Sequence, residues 1–158
     1  MSIQIGDRLP SIALQEGTPG TTHDMAELFS GKRGVIFAVP GAFTPGCSKT
    51  HLPGYVADAE SIKAKGIDLI ACISVNDAFV MSAWGEAQQV DGQIVMLADP
   101  DAAYTKAIGL DIEAGALGGT RSKRYSMYVE DGVVTQLNVE PDGFGINCST
   151  AANILDQL

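Results

Sequence analysis

The chain is predicted to fold as one α/β domain spanning residues 1–158, and three observations predict it. Short apolar, β-branched runs recur with no polar face, as in strands buried on both sides. Helical stretches of roughly 10–15 residues separate them, the pattern of βαβ units around a parallel sheet. Toward the C-terminus two strand-like runs flank Asp131-Gly132, a hairpin signal that adds antiparallel strands to that sheet.

Taken in order, "EGTPGTTH" (16–23) predicts a loop or a hairpin turn. "GVIFAVP" (34–40) is the first buried strand, and "CSKTHLPGYVADAESIKAKG" (47–66) carries a helix. "DLIACISV" (68–75) is a second buried strand. The stretch "NDAFVMSAWGEAQQV" (76–90) opens on an Asn/Asp cap and continues as a helix. "IVMLAD" (94–99) is a third strand, followed by a short helix near "DAAYTKAIGL". "DIEAGALGGTRSK" (111–123) is glycine-rich without a clear period and reads as a loop. The hairpin occupies 124–140, and "STAANILDQL" is a closing helix.

Composition excludes several classes. With 46% hydrophobic and 18% charged residues the chain is an ordinary globular protein, and no apolar run approaches the ~18 residues of a membrane span. A formal charge of −9 argues against nucleic acid, whose binders need a basic face. The start "MSIQIGDRLP" lacks a basic flank followed by a hydrophobic run, so the expected location is cytoplasmic. Three cysteines, none in C-x-x-C spacing, suit neither a disulfide scaffold nor a zinc ribbon, which leaves reduced thiols, inert or reactive.

The informative stretch is "VPGAFTPGCSKTHLPGYV" (39–56). Thr44-Pro45 reads as an N-cap followed by proline in the first helical position, where its missing N–H costs nothing. Cys47 then occupies the third position, among unpaired backbone N–H groups at the positive end of the helix dipole. Such a site favours the thiolate. A free cysteine with pKa near 8.5 is only a few per cent ionised at pH 7, whereas one near 6 is about nine-tenths ionised. The bland alternative is a small buried hydrophobe, the usual fate of a free cysteine.

His51 lies four residues beyond Cys47, on one helix face. A Cys-His acyl-transfer pair is disfavoured because such pairs usually come from separate segments and no acidic residue is obviously placed to orient His51. Hydrogen bonding that supports the local structure is the preferred role for His51. A Cys47/His51 metal pair is disfavoured too.

"PGAFTPGCSKTHLPGYV" resembles the active-site motif of peroxiredoxins, in particular the peroxiredoxin-5 (type II, atypical two-cysteine) subfamily of thiol peroxidases. "GIDLIACISVNDAFVMSAW", "KRYSMYVEDGVV" and "LNVEPDGFGINCSTAANIL" are similar to their counterparts there, so the resemblance covers nearly the whole chain. It implies a thioredoxin-like fold, with a central mixed sheet, helices on both faces and an N-terminal extension. It implies reduction of hydrogen peroxide or alkyl hydroperoxides through a sulfenic acid on Cys47, without metal or flavin. Pro40, Thr44 and Arg124 match the other positions of the family's site. Thr44 would set its hydroxyl against sulfur and peroxide, Arg124 would supply fixed positive charge, and Pro40 would shield the sulfur from water. From the residues alone Arg124 is no better marked than its neighbours Arg121 and Lys123.

Two cysteines could resolve the sulfenic acid. Cys72, inside an apolar strand, should be buried and inert. Cys148, in the loop "DGFGINCST", should be more exposed and mobile, and is the preferred resolver. Members of the family differ here: some use the Cys148 position, some the Cys72 position, and some use only the first cysteine. The implied reductants are thioredoxin, glutaredoxin or glutathione, and the implied assembly is a homodimer. Phe43 is a candidate for its interface; Trp84, Phe79 and Met81 are expected in the core or at a subunit contact, and His23 has no assigned role. A second class of function stays open, a redox-sensing or chaperone-like interaction protein switched by oxidation of Cys47. Catalytic turnover with excess thiol separates the two. A thioredoxin-like disulfide reductase is weaker still, because "TPGC" lacks a second cysteine.

Overall fold

In the computed structural model, which describes residues 2–158, strands β3 (Arg33–Ala38), β4 (Leu69–Ser74) and β5 (Val95–Ala98) run parallel to one another. Successive side chains point to opposite faces. Val35, Phe37, Ile70, Cys72 and Met96 therefore enter one core, and Ile36, Ala38, Ala71, Ile73 and Leu97 enter a second. Both faces are apolar because both are covered, which is why these strands show no polar alternation.

Antiparallel strands extend the sheet at both ends. β8 (Tyr125–Glu130) pairs with β3, and β9 (Val133–Val139) pairs with β8. Asp131 and Gly132 both take positive φ, 50° and 74°, as the predicted two-residue turn requires. On the other side β1 (Ala13–Glu16) pairs with β5 and with β2 (Thr18–Asp24). The strand order is β2-β1-β5-β4-β3-β8-β9, a mixed sheet with an N-terminal hairpin added at one edge.

The helices pack on both faces. α2 (Leu52–Ala64), α3 (Ala78–Ala87) and α5 (Ala151–Gln157) supply Tyr55, Ile62, Met81, Trp84 and Ile154 to the core that contains Cys47 and Cys72. On the other face α1 (Met25–Leu28) and α4 (Ala103–Ala107) contribute Met25 and Tyr104, joined by Phe29 and Ile108. The cap expected at the start of α3 is Asp77, which accepts from Val80 N–H; at the start of α5 Thr150 accepts from Asn153 N–H. No helix among the described residues is long and apolar enough to cross a membrane.

Two segments differ from expectation. Residues 111–123 form a small hairpin, β6 (Asp111–Ala114) with β7 (Gly119–Ser122), closed by one 3₁₀ turn at Gly115–Leu117. Four-residue strands are too short to show a period, and the glycines read as loop make the turn and its exit into β7, Gly118 and Gly119 having φ of 94° and 127°. In the N-terminal segment the turn is confined to Gly17, and the rest of "EGTPGTTH" is strand. It is polar on both faces and holds Pro19 because β2 is the sheet edge, where a missing N–H and exposed side chains are tolerated.

Candidate active site

Three segments distant in sequence meet on the α2 side of the sheet: the loop after β3, the residues around Arg124 before β8, and the loop 140–149 before α5. Pro40 is buried at the end of β3. Ala42 N–H then donates to Asn76 Oδ1 at 3.0 Å, and Ser74 Oγ donates to the same oxygen at 2.6 Å, which ties this loop to the end of β4. Phe43 turns the chain with φ of 65°, in the left-handed region that costs a bulky residue roughly 1–2 kcal/mol. Its ring is 54% exposed and lies 6.5 Å from that of Trp84.

Thr44 takes the N-cap place only through its backbone, its carbonyl accepting from Ser48 N–H at 2.9 Å. Its hydroxyl donates to Gly41 O at 2.7 Å instead of capping the helix. With its hydrogen committed, that oxygen keeps lone pairs to offer a bound group, so its local action is as an acceptor.

Cys47 is buried, with 0% of its surface exposed. It opens a widened π-type turn, Cys47–His51, in which Leu52 N–H reaches back to Cys47 O before regular α geometry begins. Pro53 accounts for the location: it has no N–H, and in an α-helix its ring would crowd the Lys49 carbonyl. From α3, Trp84 Nε1–H donates to Ser48 Oγ at 2.9 Å and holds the turn against the core.

Arg124 is 4% exposed, not the surface cation its sequence neighbourhood suggests. Its Nε–H donates to Phe144 O at 3.2 Å and its Nη1–H to His51 Nδ1 at 3.1 Å. Nη2 has no hydrogen-bond partner among the described residues. It lies 3.4 Å from where a Cβ on Gly46 would stand, against the residue that precedes Cys47. Arg121, by contrast, donates to Val75 O and Leu117 O and so braces the β6–β7 hairpin.

The partners of His51 settle its tautomer. Nε2 lies 2.9 Å from Ser149 O, which can only accept, so Nε2 carries the hydrogen and Nδ1 accepts from the guanidinium. Burial pushes its pKa down to about 4, with Arg124 acting the same way and the Ser149 bond and Glu140 opposing. The imidazole is neutral at pH 7. Phe37 meets its ring edge-on at 5.2 Å and stacks on Tyr55 at 3.8 Å. Tyr55 O–H also donates to Ser149 O, at 2.9 Å.

The two remaining cysteines are placed differently. Cys72 pairs with Phe37 on β3 and Met96 on β5, in the same core as Cys47. Burial pushes its thiol well above the ordinary range, and nearby Cys47 adds to this while Arg124 opposes it. Cys148 is only partly exposed, and its loop is pinned, contrary to the expectation of a mobile segment. Its N–H donates to Glu140 Oε2 at 2.9 Å and its carbonyl accepts from Asn153 Nδ2 at 2.6 Å. Burial, and then the Glu140 carboxylate, raise its thiol.

Glu140 is the residue the sequence left unmarked. It is 0% exposed, and its Oε2 accepts from the N–H groups of Asn147, Cys148 and Ser149 and from Ser149 Oγ, all within 2.7–2.9 Å. Burial alone raises a carboxyl, but the Ser149 hydroxyl and these three amides outweigh it and hold Glu140 below the usual range. "EPDG" reads as a turn, and nothing in its spelling shows that the glutamate points inward. Of the predicted set, Pro40, Thr44, Cys47 and Arg124 gather around one helix start, Cys72 stands behind it, and Cys148 belongs to the loop that supports Arg124. Among the described residues no group of three or more His, Cys, Asp or Glu side chains is arranged to hold a metal.

Residues 4–155 match the family described as redoxin. The chain is 44% identical to the chloroplastic peroxiredoxin-2E of Arabidopsis thaliana, covering 99% of this chain and 70% of that protein. Among solved structures it is similar to reduced Prx3 from Vibrio vulnificus in complex with H2O2, with a TM-score of 0.93 and 53% identity over 99% of both chains. It is also similar to peroxiredoxin 5 from Alvinella pompejana, with a TM-score of 0.87 and 36% identity over 97% of this chain and 96% of that one.

Proposed function

The chain belongs to the redoxin family as a peroxiredoxin-5-like thiol peroxidase, and from that premise we propose that Cys47 is the nucleophile that reduces hydrogen peroxide and alkyl hydroperoxides. A peroxide is its substrate and a thiol its reductant. In the first step the Cys47 thiolate attacks one peroxide oxygen; an S–O bond forms and the O–O bond breaks. Sulfur is oxidised to sulfenic acid, and the leaving oxygen takes up a proton to depart as water or an alcohol. In the second step a thiol displaces water from the sulfenic acid to form a disulfide, which a further thiol reduces.

The observation that carries this reading is the unpartnered Nη2 of Arg124 beside Gly46. A fixed cation at the start of the Cys47 helix, buried where its field is little screened, is placed to stabilise charge moving from sulfur to the leaving oxygen. The Thr44 oxygen, its own hydrogen held by Gly41, is suited to accept from a protonated peroxide oxygen. Buried Pro40 is suited to keep water from the sulfur. The H2O2 complex of the Vibrio vulnificus Prx3 supports hydrogen peroxide as one substrate.

Cys148 is the resolving thiol in this reading, with thioredoxin, glutaredoxin or glutathione completing the cycle in a cytoplasmic homodimer. Cys72 is the weaker candidate, since burial holds its thiol protonated. The test is peroxide consumption by Cys47→Ser with excess dithiothreitol. Loss of turnover is expected, and retained turnover overturns the assignment.

A further inference from the structure

Arg124 is a buried cation with no carboxylate in contact: the ion pairs among the described residues are His23–Glu16 and Arg33–Glu130. A buried charge is expensive unless a partner compensates it. Asp142 feels Arg124 but is exposed and spends its Oδ1 on the N–H groups of Phe144 and Gly145. Two carboxylates are buried, Asp99, which is bonded to Tyr104 and Thr105 of α4, and Glu140, and hydrogen bonds connect Glu140 to Arg124 without a break. Its Oε2 grips Ser149 at both N–H and Oγ; Ser149 O accepts from His51 Nε2–H; His51 Nδ1 accepts from Arg124 Nη1–H.

We infer that Glu140 is a positioning residue for the peroxide step, holding Arg124 in place through Ser149 and His51. This rests on the reading of Cys47 and Arg124 given above.

A carboxylate is more than the loop needs for its own shape. Oε1 is buried without a partner, so a neutral glutamine, whose amide oxygen also accepts, could satisfy the same three amides while giving up the charge. What the charge adds is polarity along the chain: it polarises the bonds of Ser149 and opposes Arg124 across a neutral ring. The same loop contributes the Phe144 and Gly143 carbonyls that accept from Arg124 Nε–H and backbone N–H, so the anchor acts on the arginine from two sides.

The test is a double-mutant cycle on the full chain, reading the second-order rate of Cys47 oxidation by H2O2 through competition with a reporter peroxidase. Glu140→Gln is expected to slow oxidation about tenfold, the scale of weakening one charge-assisted anchor. In an Arg124→Ala background it is expected to cost less than about twofold more, because the group it positions is already gone. A merely structural role would give the same loss in both backgrounds, so losses that multiply overturn the inference. A rate for Glu140→Gln within about twofold of the parent also overturns it. If Arg124→Ala itself oxidises at the parental rate, the reading of the site fails first and the inference with it, a result distinct from failure of Glu140 alone. Should Glu140→Gln not fold, Ser149→Ala, which deletes one bond to Oε2 and leaves the backbone bonds, takes its place. A loss of about threefold that vanishes without Arg124 is expected there, and a loss of equal size in both backgrounds overturns the inference.

Discussion

His51 Nδ1 accepts a hydrogen bond from Arg124 Nη1 at 3.1 Å, joining the second turn of the Cys47 helix to a residue 73 positions away. A neutral ring and a permanent cation are thereby locked in one geometry, with the second guanidinium nitrogen free to face the helix start.

Arg124→Ala is accordingly expected to slow the peroxide step by about 10²–10³-fold, the usual scale for removing one preorganised charge donor. It also leaves His51 Nδ1 buried without a partner, at a cost of roughly 1–3 kcal/mol, so the variant should be less stable yet folded. Arg124→Lys should recover little of the rate, because one ammonium cannot reach His51, Phe144 O and the substrate together. Stopped-flow oxidation rates and thermal melts check both. A near-parental rate in Arg124→Ala would refute the role.

Acid should act on the fold through His51. Its folded pKa of about 4 lies below the ordinary 6.5, so between these values the unfolded chain binds more protons than the native one. Stability should therefore fall as pH drops through this window, by about 3 kcal/mol in all for a shift of this size. Glu140, held below its ordinary range, contributes stability above its unfolded pKa that is lost as pH falls through its folded value, and so steepens the acid end. Urea titrations from pH 7 to pH 4 should show the decline, and His51→Gln should flatten its upper part. An unchanged slope in that variant would assign the effect elsewhere.

Peptide mapping without reduction, after one equivalent of H2O2, is expected to find Cys47 joined to Cys148. The bond from Cys148 N–H to Glu140 Oε2 holds this loop, so bridge formation is expected to lag behind formation of the sulfenic acid. Cys72 should resist alkylation in the native chain, its thiol buried and held protonated. Cys47 found as sulfenic acid with Cys148 free would instead assign resolution to an external thiol.

Phe43 and Phe79 leave 54% and 62% of their surface exposed, on the loop after β3 and at the start of α3. Single exposed aromatics are unremarkable, but Phe43 lies beside Trp84 of the helix that also carries Phe79, and such a pair suits a homodimer contact. Phe79→Lys is expected to shift the sedimentation coefficient to that of a monomer. An unaltered dimer would place the contact elsewhere, and a monomeric parent would end the proposal.

Much of this was legible in the sequence because its causes are local. Both-sided apolar runs marked β3, β4 and β5, Asp131-Gly132 marked the β8–β9 turn, and Thr44-Pro45 marked where the helix begins. What could not be read were partnerships across the chain. Arg124 looks like Arg121 and Lys123 until the fold turns one inward to His51 and another to the carbonyls of Val75 and Leu117. Cys148 read as mobile because its loop is rich in glycine and asparagine, and only the buried Glu140 eight residues earlier shows how it is held. His51 was expected to serve as a hydrogen-bonding residue, and does, but the identity of both partners required the structure.

The widened turn from Cys47 to His51 has a meaning for mutational tolerance that side-chain chemistry does not capture. It holds one residue more per turn than an α-helix, so the placement of Cys47 relative to His51 is stored as a count of residues as well as in their identities. Deleting one of the exposed residues Lys49 or Thr50 would remove that extra residue and let the segment close to regular α geometry with Cys47 on nearly its present side of the axis, whereas adding one residue would turn the cysteine by about 100° about the helix axis. Most surface substitutions there should be silent, and a gained codon should be more damaging than a lost one.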